Sequence, residues 1–109
     1  MYSTKDFEIL TGIFRRNVPG LKLLYLFGSY ARGDAHENSD VDVAAITEMP
    51  FDWRTKINTL NAIRKETGKL HYHIDILVKS EHDWQHDGTI PLTLSHTIKN
   101  EGTLLWTKA

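Results

Sequence analysis

Three aspartates carry the strongest chemical signal in this 109-residue chain. Asp40 and Asp42 flank a single valine in Ser39-Asp40-Val41-Asp42-Val43, and Asp75 interrupts the apolar run Ile74-Asp75-Ile76-Leu77-Val78. Residues two apart on a strand return to the same face, so Asp40 and Asp42 would project side by side from an extended segment. A carboxylate in a buried-looking strand is costly unless its charge is compensated. Two unit negative charges about 4 Å apart repel by roughly 4 kcal/mol at an effective dielectric near 20, against a total stability of about 5–15 kcal/mol for a small domain. Divalent cations are the simplest relief for such a cluster. Magnesium, hard and oxygen-seeking, suits carboxylates acting together with substrate phosphates, and sites with two such ions serve phosphoryl or nucleotidyl transfer.

That chemistry also needs a place for phosphate, which the run Gly28-Ser29-Tyr30-Ala31-Arg32-Gly33 offers. Gly28 lets the backbone approach closely, and Ser29 adds a hydroxyl to the backbone N–H donors of a helix start. Arg32 either adds charge to this loop or fixes it through a carboxylate. His71 and His73 fall on the same predicted face as Asp75, where zinc binding or acid–base catalysis can be imagined. Alternating histidines on a half-exposed strand are more often simply surface residues.

The elements that must position these groups are legible from periodicity. Thr4 to Asn17 places Phe7, Leu10, Ile13 and Phe14 on one helical stripe, and Pro19-Gly20 ends it. Leu21 to Phe27 is an apolar run of strand length, followed by a polar, glycine-containing loop to Asn38 and a second strand over Val41 to Ile46. Pro50 and Asp52 start a second long helix that carries Trp53, Ile57 and Leu60 along one face, with Gly68 as its expected C-terminal glycine. Tyr72 to Lys79 reads as the third strand, Glu81 to Gly88 as a polar turn or short helix, Pro91 to Asn100 as a helix and Thr103 to Trp106 as a terminal strand. Trp53, Trp84 and Trp106 either fill the core or form a partner surface.

Parity ties the strands to the site. Val41, Val43 and Ala45 alternate with Asp40, Asp42 and Ala44, and Ile74, Ile76 and Val78 alternate with His73, Asp75 and Leu77. Each strand therefore has one apolar face and one that bears carboxylate. The expected architecture is α/β: a mixed sheet of about four strands with helices packed mainly on one face and the three aspartates emerging on the other.

In this setting the chain resembles the DNA polymerase beta-like nucleotidyltransferase superfamily, in which a Gly-Ser pair precedes an Asp-x-Asp pair and a third acidic residue lies on a later strand. Its small size is similar to that of the minimal nucleotidyltransferases (MNT), which often act as antitoxins beside a HEPN-domain toxin. The resemblance implies that Gly28 and Ser29, flanked by Arg32 and Ser39, hold the triphosphate of ATP or another nucleotide. It implies further that Asp40, Asp42 and Asp75 coordinate two Mg2+ ions, for which Mn2+ could substitute. AMP would then pass to a hydroxyl of a HEPN-type partner, tyrosine being the suggested acceptor. Transfer to a small molecule, or neutralisation of the partner by binding alone, are the competing readings.

The whole chain sets outer bounds. At 12.5 kDa it is expected to be one nucleotidyltransferase domain over residues 1–109, too small to add a separate acceptor-recognition domain. Thirteen basic residues against fourteen acidic ones leave a net charge of -1, which supplies no broad cationic face for nucleic acid. There is no cysteine, so disulfides, thiolate chemistry and cysteine zinc sites are excluded. No apolar stretch has signal-peptide or membrane-spanning form, and the cytoplasm fits best. A homo-oligomer is compatible with all of this.

Overall fold

Ser3 opens the first helix by a reciprocal cap: its hydroxyl accepts from the Asp6 N–H and the Asp6 carboxylate accepts from the Ser3 N–H at 2.8 Å. The computed structural model describes residues 1–109, and this helix, α1 (Thr4–Asn17), buries Leu10, Ile13 and Phe14 as its stripe requires. There follow β1 (Leu21–Phe27), a single turn α2 (Ser29–Arg32), β2 (Val41–Thr47), α3 (Trp53–Lys69), β3 (Ile74–Ser80), α4 (Glu81–Gly88), α5 (Leu94–Glu101) and β4 (Thr103–Thr107). Asp52 caps α3 by accepting from the Thr55 N–H at 2.7 Å. No helix is long and apolar enough to cross a membrane.

The sheet is four-stranded, in the order β3-β2-β1-β4. β1 runs antiparallel to both β2 and β4, while β2 and β3 are parallel. Only the parallel pair needs a long crossover, and α3 supplies it. Val41, Val43 and Ala45 of β2 are fully buried with Leu10, Phe14 and Ile63, so α1 and α3 cover this face. The opposite face is also partly roofed: Ala44 and Ile46 pack with Trp84 of α4 and Ile98 of α5. Predicted parity therefore holds on both strands, but the expected helix-free face does not, because α4 and α5 pack over part of the face that bears the carboxylates.

Two expectations change in detail, and the open question of the tryptophans is answered. Gly68 lies inside α3, and the left-handed residue after the helix is His71, with φ 58°. The turn is held there because the Thr67 carbonyl accepts from both the Leu70 and the Tyr72 N–H, at 3.1 and 3.0 Å. Asp75 is exposed rather than buried, because β3 is the edge strand of the sheet. Of the tryptophans, Trp84 is core and Trp106 half-buried beneath the Arg15 guanidinium, whereas Trp53 is 71% exposed.

Candidate functional site

The sheet register assembles the candidate residues at one end. Phe27, the last residue of β1, is paired with Asp42, and Asp42 is paired across the parallel ladder with Asp75. One row thus crosses three strands and places two of the aspartates side by side. The chain leaves β1 through Gly28 at φ 69° and ψ −150°, a conformation open essentially to glycine alone. The turn brings the Gly28 backbone so near to Asp42 that a Cβ there would stand 2.1 Å from the carboxylate Oδ2. Glycine at this position is therefore a condition for Asp42 to occupy its place.

α2 is wound tightly onto the same glycine. The N–H groups of Ala31 and Arg32 both donate to the Gly28 carbonyl at 3.1 Å, and Gly33, at φ 83°, closes the turn by donating to the Ser29 carbonyl at 3.0 Å. Tyr30 anchors this turn to the body of the protein, its ring set edge-on to those of Tyr2 and Phe7, each 5.7 Å between centroids. Ser29 thereby begins a fixed turn beside the carboxylates.

Asp42 is half-buried, and its surroundings hold its carboxyl above the usual carboxylate range. Burial contributes most, followed by the negative charges of Asp75 and Asp40 and a hydrogen bond to Asp75, while the Arg32 guanidinium pulls the other way. The predicted trio therefore shares one electrostatic neighbourhood. Asp40 sits just before β2 and is exposed, and no three Asp, Glu or His side chains converge closely enough to make a ready-made cation cage. Gly28, Ser29, Asp42 and Asp75 come together as the backbone dictates; Asp40 stands at the margin.

The remaining candidates are engaged locally. Arg32 is exposed and its Nε donates to Asp34 at 3.3 Å. The Ser39 hydroxyl accepts from the His36 N–H at 2.9 Å, so it shapes the loop into β2. His71 and His73 do not form an alternating strand pair, because β3 begins only at Ile74 and His71 occupies the left-handed turn.

Two recesses adjoin the row. One, of about 210 Å3, lies between Gly28, Ala31 and Arg32 on one side and Thr97, Ile98 and Gly102 on the other. The second, of about 270 Å3, is lined by Asp40, Arg64, Tyr72 and His73. Arg64 drew no attention in the sequence, where it is one of several cations on the outer side of a helix. The largest groove, about 520 Å3 between Phe7, Leu26, Tyr30 and Leu104, contains none of the carboxylates, so size does not mark the site.

Comparison with known proteins bears on the whole chain. The family described as polymerase beta, nucleotidyltransferase matches residues 8–109. A stretch of 40 residues is 48% identical to the protein adenylyltransferase MntA of Shewanella oneidensis; it is 37% of this chain but only 29% of that protein. Among solved structures, a toxin–antitoxin crystal structure with AMP-PNP superposes with a TM-score of 0.68 at 25% identity, over 94% of this chain and 74% of that one. The complex of a tri-AMPylated Shewanella oneidensis HEPN toxin with an MNT antitoxin is similar in fold, with a TM-score of 0.56 at 19% identity, over 94% of this chain and 70% of that one.

Proposed function

The chain belongs to the polymerase beta nucleotidyltransferase family, and from that premise we propose that it is a protein adenylyltransferase, the cytoplasmic antitoxin of a HEPN-type toxin. It would move AMP from ATP to a hydroxyl of that partner. The observation that carries this reading is the row Asp42–Asp75 with the Gly28 backbone closed against Asp42. Support for the acceptor class comes from the local identity to the Shewanella adenylyltransferase and from the likeness to toxin–antitoxin complexes.

The donor set suits a hard cation: three carboxylates supply only oxygen, and the cradle at Gly28 leaves no room for a side chain beside Asp42. Asp40, Asp42 and Asp75 would hold two Mg2+, or Mn2+ in their place, with substrate phosphates completing the shell. When bound, these ions would neutralise charge developing on the phosphates and lower the proton affinity of the acceptor hydroxyl. The protein's own contribution is largely positional. Backbone N–H groups and the hydroxyl of Ser29 would hold the triphosphate, with Arg32 and Ser39 at the rim. Asp75, on the edge strand and facing solvent, would orient the incoming acceptor. The acceptor's hydroxyl oxygen would form the new bond to the α-phosphorus as the bond to pyrophosphate breaks, and the hydroxyl proton would pass to water.

The test is transfer of label from α-labelled ATP to the partner in magnesium, comparing the wild type with Asp42→Asn. Transfer by the wild type and a loss of at least about 100-fold in the variant is the expected result. Unlabelled partner that is nevertheless neutralised by both proteins would replace this reading with that of a binding module.

A further inference from the structure

The sheet alone does not join the two sides of this site. β1 and β3 are separated by β2, so no ladder bond links the turn at Gly28–Ser29 to the strand that carries Asp75. The N-terminal segment does link them. The Tyr2 N–H donates to the Tyr30 hydroxyl at 3.3 Å, one residue beyond Ser29, and the Tyr2 hydroxyl accepts from the His73 N–H at 2.7 Å, two residues before Asp75. Its ring packs edge-on against Tyr30 at 5.7 Å and against Tyr72 at 5.3 Å between centroids. The carbonyl of the same His73 accepts from the Val41 N–H at 3.0 Å, between Asp40 and Asp42. One peptide segment at His73 is therefore held by β2 on one side and by Tyr2 on the other.

We propose that Tyr2 is a positioning residue for nucleotidyl transfer, a strap whose ring and hydroxyl set the separation between the phosphate turn and the Asp75 strand. This rests on the proposed function. Its partners are Tyr30, Tyr72 and His73, none of them a proposed ligand of metal or phosphate, and it acts through Tyr30 and His73. A misplacement of about 1 Å can cost on the order of 100-fold in rate, so loss of the strap lowers turnover far more than it weakens nucleotide binding.

The experiment uses the whole chain with its partner and compares wild type, Tyr2→Phe and Tyr2→Ala. Tyr2→Ala is expected to lower kcat by about 10- to 100-fold while KM for ATP moves less than about 3-fold. Tyr2→Phe, which keeps the ring contacts and loses the hydroxyl, is expected to fall between the two. Amide hydrogen exchange gives a readout independent of activity. His73 should exchange faster in both variants, whereas the amides of α2 should do so only in Tyr2→Ala, with α5 and β4 unchanged. The proposal is overturned if kcat is unaltered in Tyr2→Ala, if exchange rises uniformly with a general loss of stability, or if the α2 amides are unaffected in Tyr2→Ala. A wild type that transfers no nucleotide overturns the proposed function, and the exchange measurements then decide the strap on their own.

Discussion

Gly28 shows how much a single residue can settle. Its φ of 69° would strain any side chain, and the Asp42 carboxylate occupies the space that a Cβ would need. Replacement by alanine thus combines backbone strain of about 1–3 kcal/mol with forced displacement of the half-buried aspartate. Gly28→Ala is expected to lower the melting temperature by several degrees and to reduce nucleotidyl transfer by at least about 100-fold; thermal unfolding and label transfer measured on the same preparation check both. A fully active variant would mean that Asp42 need not sit where the structure puts it. The glycine itself was legible in the sequence, as a residue permitting close approach. What it approaches was not, because residues 14 positions apart meet only when β1 and β2 pair.

At the scale of elements, α1 is fastened to the entry of β3 by one side chain. The Tyr72 hydroxyl donates to Asp6 at 2.7 Å, and the same aspartate caps α1 through Ser3. Burial, together with the hydrogen bond and the charge of Asp6, raises the Tyr72 hydroxyl from its ordinary value of 10.0 to about 12. A folded-state value above the unfolded one means that stability from this contact is complete below about pH 10 and is lost as the pH rises through about 12. Wild type should therefore lose melting temperature across that interval more steeply than Tyr72→Phe, which has no proton to release. Parallel slopes in alkaline thermal scans would refute the link. Element order and strand parity followed from local periodicity, which is why α1, β1 and β2 matched closely. The end of α3 did not, since a shared Thr67 carbonyl rather than Gly68 closes that helix.

For the molecule as a whole, the proposed donor set predicts that the folded state binds divalent cations better than the unfolded chain. Magnesium or manganese with ATP is expected to raise the melting temperature, and Asp40→Asn to reduce that gain. No cation-dependent shift in differential scanning fluorimetry, with nucleotide present, would refute the proposed donor set. By itself the sequence determined that two carboxylate-bearing strands follow a Gly-Ser turn and that each strand has one apolar face, because those are properties of chemistry and period along the chain. Only the tertiary structure decided that β3 lies at the sheet edge and exposes Asp75, that Asp42 sits against Gly28, and that Tyr2 reaches residues 28 and 71 positions away. Strand order and long-range contact are set by how the faces pack on one another, and no local pattern encodes that competition.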